Sequence, residues 1–421
     1  MDNVMTNGTT AFRWRSIALP ALLPTLLFSI GEGALLPIIP ALASDLGATL
    51  AVAGFIAAML TLGELFGDIP SGWIVAKIGE RTAMLYATGV AIAGLITSAF
   101  APNPVVLAVG ILLIGLASAV FALARHAFMT SFVPLSHRAR ALSTLGGTHR
   151  LGLLIGPFLS VAALAATDSN AAPLWVFVVA CGVTALTLLL LPDPESLFGA
   201  AVRAREAGRK QLDEGEQLIR DESVGLFGTL SRHRALLLRL GTGSAIISAL
   251  RASRQVILPL WGVSLGLDEA HTATIIGVAA AIDFALFYTG GQIMDRFGRL
   301  FTAVPSVLGL AVGLIGLALT HDLPASETWF VVFAVFLSIA NGIGSGILMT
   351  LGADLAPPSN PAPFLGAWRF CNDAGGAVAP LLLAGVTAAL SLPVAVAAVG
   401  ALGFVGAGAL LRYVPRYSSH R

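Results

Sequence analysis

Charge is what this 421-residue sequence has least of: Asp, Glu, Lys and Arg make up 11% of it, while hydrophobic residues make up 56%. A soluble chain of this size needs roughly 25% charged residues to cover its surface. The shortage excludes a water-soluble globule, and the mean hydropathy of +0.87 says that most of the surface meets hydrocarbon. Cysteine is nearly absent, with only Cys181 and Cys371, both in apolar stretches, so no disulfide framework is available. The net charge of +1 says nothing about nucleic acid, and the few basic residues form no aromatic-interleaved patch that would bind one. No phosphate-binding glycine loop, G-x-S-x-G elbow, metal-spaced histidine set or Asp-x-x-x-Asp pattern occurs. An enzyme, a metal centre and a cofactor are therefore not expected.

What is present is a series of apolar runs, each long enough to cross a bilayer as a helix. Twelve spans are expected near 16–40, 51–74, 82–100, 104–131, 141–165, 172–192, 235–264, 271–294, 300–320, 327–353, 362–389 and 392–413. The apolar run from Ile17 to Leu42 is too long for a secretory signal core, so it reads as an uncleaved first span. The polar stretch from Pro194 to Arg234 separates two sets of six spans. The expected organisation is a bundle over 1–193, a cytoplasmic linker over 194–234 and a second bundle over 235–421. The predicted class is an all-α integral membrane protein. Lys and Arg are absent from the loops at one end, where Asp45, Asp168, Asp268, Glu269, Asp322 and Glu327 lie. The positive-inside rule then places both termini in the cytoplasm.

The two sets are related by an offset of 219 residues (291 minus 72). Gly72 and Gly79 fall on Gly291 and Gly298, and Pro40 falls on Pro259. Intramembrane charges follow the same offset: Glu32 on Arg251, Glu64 on Asp283, and Arg150 on Arg369. Repeated six-helix units of this kind enclose a cavity near the midplane.

The stretch Gly291-Gln-Ile-Met-Asp295-Arg296-Phe-Gly298-Arg299 resembles the G-x-x-x-D-R-x-G-R loop of the major facilitator superfamily. Its N-terminal copy is degraded, with Ala76 for the acid, Lys77 for the Arg and Glu80 for the last Arg. Gly152-Leu-Leu-Ile-Gly156-Pro157 resembles the centre of the antiporter motif of twelve-span drug:proton antiporters, although Ser160 and Val161 replace its following glycines. The resemblance implies the major facilitator fold, two pseudo-symmetric bundles and transport by alternating access. It also implies gating by Asp68, Gly72, Gly156, Pro157, Gly291, Asp295, Arg296, Gly298 and Arg299. In this reading Asp295 and its arginines latch the cytoplasmic face.

A charged side chain at the bilayer centre costs from ~3 to above 10 kcal/mol, so those that occur must line a wet cavity or pair. Glu32, Glu64 and Asp283 are the candidate proton-coupling acids, and Glu32 and Arg251 are expected to face each other and alternate between pairing and release. Glu32, Arg125, Arg150, Arg251, Arg254 and Arg369 are the candidate substrate-binding residues. Arg251 and Arg254 share one helix face and suit a carboxylate or phosphate. Arg150 and Arg369, repeated in both halves, suit a role holding the halves together through carboxylates. His126 and His149 are further candidates for proton relay. Phe28 and Trp368 are expected at the cavity, and Trp73, Trp175, Trp261 and Trp329 at the membrane interface. The leading expectation is proton-coupled efflux of small organic or drug-like compounds, as in multidrug resistance, through the plasma membrane. The alternative is a symporter or facilitator for an organic anion. Expected partners are a small-molecule substrate, protons and the bilayer, with no nucleic acid and a monomeric protein.

Overall fold

The architecture rests on a computed structural model that describes residues 14–132, 135–167, 169–190, 234–355 and 361–417. Among them there is no strand, and twelve helices are long and apolar enough to cross a membrane. We label the spans α1 (Trp14–Leu35), α2 (Leu50–Ile78), α3 (Glu80–Ala99), α4 (Pro104–Phe132), α5 (Leu135–Thr167), α6 (Ala172–Leu190), α7 (Thr242–Ser264), α8 (Glu269–Phe297), α9 (Leu300–Leu319), α10 (Ser326–Ile343), α11 (Pro361–Ala389) and α12 (Leu392–Tyr417). The residues expected to form the linker, 194–233, lie outside the described part.

Hydropathy locates the spans but not their breaks. The first span is not one helix: α1 ends at Leu35, a 3₁₀ turn covers Leu36–Ile38, and a short helix runs Ile39–Asp45. Pro37 and Pro40 explain this, because neither supplies a backbone donor to the preceding turn. The tenth span breaks likewise after Ile343 and resumes as Ile347–Leu355, with Gly346 at φ 84° between them. A short π-helical stretch, Leu237–Gly241, leads into α7. The fifth span starts earlier than expected, at Leu135.

The 219-residue repeat reaches the helix ends. Thr49 caps α2 by accepting from the Val52 N–H, and Asp268 caps α8 by accepting from the His271 N–H. Gly79 and Gly298 end α2 and α8 at φ 79° and 95°, each donating its N–H to the carbonyl four residues back. These positive φ values need glycine. The conserved spacing of Gly72 to Gly79 and of Gly291 to Gly298 therefore has a backbone cause at its second member.

Within each bundle the helices pack through small residues, since the bilayer offers no hydrophobic drive between apolar helices. A Cβ at Gly156 on α5 would sit 2.4 Å from backbone atoms of Gly33 and Ala34 on α1. At Gly375 on α11, the same position in the repeat, it would sit 2.2 Å from the Ala245 carbonyl oxygen on α7. The outward faces carry the opposite pattern, with bare hydrophobics such as Leu190, Phe100 and Leu319. The bundles meet along α2 against α11 and α5 against α8. At the end away from the termini, Asn170 donates to Asp45 Oδ2 (2.8 Å) and to Glu269 Oε1 (3.2 Å), tying the two halves together.

Candidate transport cavity

Between the bundles lie two chambers at mid-depth. The first, about 320 Å³, is walled by α1, α2 and α4 of one bundle and α7 and α11 of the other. The second, about 270 Å³, is walled by α7, α8 and α10 together with α1 and α5. They are pseudo-equivalent: Glu32, Thr61, Glu64, Leu65 and Ala122 of the first lie 219 positions before Arg251, Ala280, Asp283, Phe284 and Asn341 of the second. His149, Arg251 and Gln255 border both.

The chambers differ in charge. The first carries Glu32, Glu64, Asp68 and Asp373 against Arg125, Arg251 and Arg369. The second carries Arg150, Arg251 and Arg254 against a single acid, Asp283. Asp283 is the hub of the second. Its Oδ2 receives Asn341 Nδ2 at 2.6 Å and Arg254 Nη2 at 3.4 Å, while Arg150 Nη1 stands 3.7 Å from Oδ1. Arg254 also donates to Ser338 Oγ at 3.0 Å. Arg150 lies over the Phe287 ring, 4.6 Å from its centroid.

Every candidate acid and arginine expected at the cavity lines one of the chambers. Their pairing departs from the simplest reading of the sequence. Glu32 and Arg251, although pseudo-equivalent and in one chamber, do not pair. Arg251 Nη2 instead donates to the Gly344 carbonyl at 2.6 Å. That carbonyl lies at the α10 break, where it also accepts the Ile347 N–H at 3.3 Å. Gly344 stands 219 positions after Arg125, whose charge reaches Glu32 without closing to ion-pair distance. The α1–α4 and α7–α10 contacts are thus one contact with its polarity reversed.

Arg369 and Arg150 occupy matched seats on the two inter-bundle seams. Arg369 Nη2 pairs with Asp68 Oδ1 across the halves at 3.3 Å, and its Nε pairs with Asp373 on its own helix at 3.3 Å. On the other seam the residue matching Asp68 is Phe287, so Arg150 makes a cation–π contact and leans on Asp283. Each of these arginines meets a carboxylate of the other half, Arg369 at Asp68 and Arg150 at Asp283.

His149 accepts at Nδ1 from Arg125 Nη1 (3.4 Å) and lies 2.6 Å from Ser29 Oγ. Because a guanidinium only donates, this contact puts the imidazole proton on Nε2. His126 lines neither chamber. Phe28 does, stacked on Phe121 with ring centroids 4.2 Å apart. Trp368 does not: it is buried and donates Nε1 to the Leu348 carbonyl beside the α10 break. Trp261, expected at the interface, is 1% exposed and meets His321 edge-on at 4.9 Å. It lies two turns past Arg254 near the end of α7, buried within the protein instead.

Of the gating candidates, Gly298 ends α8, and Gly156 with Pro157 lies at the α1–α5 crossing, where close helix packing accounts for the glycine. Arg299 Nε and Nη2 hold Asp354 at 2.8 and 3.4 Å, and Nη1 donates to the Met294 carbonyl. Sequence reasoning missed Asp354 as the partner, since it follows the α10 break. Arg296 lies 5.3 Å from the Phe297 ring centroid. Gly291 sits on the last turns of α8 and Gly72 on those of α2, while the Asp295 side chain lies outside the described part. Ser338, Asn341 and Gln255 were also missed. Their signal was the rarity of amides and hydroxyls facing a shared apolar wall.

Two bundles of six membrane helices around a charged cavity define a carrier that works between the two faces of a membrane. The Major Facilitator Superfamily description matches residues 21–380, and the chain belongs to that superfamily. It is a multi-pass membrane transporter, not an enzyme. The chain is 24% identical over 314 residues to the galactose-proton symporter of Escherichia coli (strain K12), covering 70% of this chain and 67% of that protein. It is 25% identical over 308 residues to sugar transporter ERD6-like 7 of Arabidopsis thaliana, covering 68% and 64%. In fold it matches the crystal structure of a D-xylose-proton symporter with a TM-score of 0.74 at 14% identity, over 95% of this chain and 97% of that one. These relatives are not drug exporters, so the narrower antiporter expectation gains no support from them.

Proposed function

We propose that this protein is a proton-coupled symporter that carries a small organic anion across the plasma membrane by alternating access, as a monomer with both termini in the cytoplasm. The observation that carries the reading is the second chamber, where three arginines face one aspartate. A site with that excess of fixed positive charge favours an anion and repels a cation. The proton side falls to the first chamber. Neither Glu32 nor Glu64 makes an ion pair within 4 Å among the described residues, so each gains or loses a proton without breaking one. Asp283 is the third acid, coupled to the anion site through Arg254 and Arg150. The galactose-proton and xylose-proton symporters among the similar proteins support symport over efflux. Efflux of drug-like compounds rests on the resemblance of short stretches such as Gly152 to Pro157, and close packing already explains the second glycine there.

The test is uptake of labelled organic acids into proteoliposomes under an imposed pH gradient. Accumulation above equilibrium that a protonophore abolishes, and that Glu32→Gln or Glu64→Gln removes while counterflow exchange persists, is the expected result. Accumulation indifferent to the gradient, or confined to organic cations, would sink the proposal.

A further inference from the structure

The geometry points to a narrower cargo: the cation-rich chamber is a seat for a small polyhydroxylated carboxylate. Its carboxylate sits against Arg150, Arg251 and Arg254, and its hydroxyls donate to Asp283 and Asn341. The inference rests on the reading above that this chamber holds the transported anion.

Its ground is a set of buried polar atoms with no hydrogen-bond partner, one of which, Asp283 Oδ1, meets only Arg150 Nη1, at 3.7 Å. On the donor side is Arg251 Nε, and on the acceptor side are Asp283 Oδ1 and Asn341 Oδ1. All three residues line the one chamber. Buried polar groups are almost always paired, so unpaired atoms on residues that line one cavity describe the ligand that completes them. The donor needs an acceptor, and the surplus of guanidinium charge makes that acceptor an anion. The two acceptors need O–H or N–H donors on the same molecule. An unsubstituted fatty acid satisfies only the arginines. A neutral sugar satisfies only the acceptors and leaves the positive charge unanswered. An amino acid supplies a donor, but its ammonium adds a fourth positive charge beside three guanidiniums. A hydroxylated acid satisfies both sets with no new repulsion.

The seat is also held in place. Arg251 is pinned through Nη2 to Gly344, Arg254 is fixed by Ser338 and Asp283, and Arg150 is spread on Phe287. Pre-set donors lose little freedom when a ligand arrives. The volume, about 270 Å³, is below the usual range for drug-sized ligands and suits a metabolite of a few carbons.

The test is calorimetric binding to the purified full-length protein in detergent, with no gradient. The probes are gluconate, galactonate and glucuronate, compared with glucose, hexanoate and glycine. At least one sugar acid should bind ten or more times tighter than every comparison probe. Asn341→Ala, which removes that acceptor and the donor holding Asp283 without changing charge, should weaken that acid about 5- to 10-fold. Arg254→Gln should abolish its binding. Because Arg254→Gln could compromise folding, the unmodified protein and Asn341→Ala decide the matter. Equal binding of hexanoate or glucose overturns the inference, as does an unchanged affinity in Asn341→Ala. If no sugar acid binds while another acid is accumulated by the pH gradient, the inference fails and the symport reading stands. If a sugar acid binds as described but is never driven by protons, the inference stands and the symport reading fails.

Discussion

The ion pair between Asp68 and Arg369 joins the bundles at 3.3 Å, and removing it should change how they divide their time between the two access states. At that distance two unit charges attract by about 5 kcal/mol at an effective dielectric constant of 20 and about 1 kcal/mol in water. The Arg369 side chain is 45% exposed and shares its charge with Asp373, so the lower end applies. A value of about 1–2 kcal/mol corresponds to a shift of roughly 5- to 30-fold in the equilibrium. Asp68→Asn keeps the shape and removes the charge. Spin labels on exposed Lys77 of α2 and Arg416 of α12 report the separation of the bundles at the end that carries the termini. Asp68→Asn should raise the ratio of open to closed there by that factor. In a double-mutant cycle with Arg369→Gln, the second change should add little, because the pair is already gone. Additive effects, or a distance distribution unchanged in Asp68→Asn, would refute the reasoning. A further comparison is Phe287→Asp, which installs the missing acid on the other seam. It should give Arg150 a second carboxylate and bias the equilibrium towards the state in which that seam is closed.

Two other outcomes follow from packing and from the opposite end. Gly156→Val should lower thermal stability by an amount of order 1–3 kcal/mol, because its Cβ meets the α1 backbone rather than a side chain that can move; Gly147→Ala, with nothing within 4 Å, should be neutral, and both are read by scanning fluorimetry. Asn170→Ala leaves Asp45 and Glu269 facing each other without their shared donor, so a membrane-impermeant thiol reagent should label a cysteine placed at Leu258 several-fold faster than in the parent; equal rates would show that Asn170 holds nothing shut.

Much of the fold was legible in the sequence because its causes are local. A run of apolar residues is visible as such, and so is a charge within it. The breaks in spans one and ten were not, although Pro37, Pro40, Gly344 and Gly346 were in plain view, since hydropathy averages over the residues that interrupt a helix. The cavity residues were legible for a physical reason: charge inside a bilayer is too costly to be incidental. Their partners were not legible. Opposite charges at matched positions suggested that Glu32 would face Arg251. The arginine found the Gly344 backbone carbonyl at the α10 break, and the direction of a carbonyl has no letter in the sequence. Asp354 escaped notice for a related reason, because the resemblance to a known loop drew attention to acids inside it.

The matched seats of Arg150 and Arg369 bear on how such a protein could arise from a shorter one. Suppose two copies of the first bundle associated through the same two seams about a twofold axis. Each Arg150 would then face the Asp68 of the other copy, as Arg369 now does, and both seams would close with an ion pair. Two copies of the second bundle would instead set Arg369 against Phe287 on both seams. The first half therefore carries a surface complementary to itself, and the second half has given that up. The central cavity follows a different rule. A pair of first halves would duplicate Glu32 and Glu64 and would contain neither Arg251 nor Arg254. Such an ancestor would already have the moving frame of a carrier while lacking a seat for an anion. Divergence of the second copy supplies that seat without rebuilding the frame.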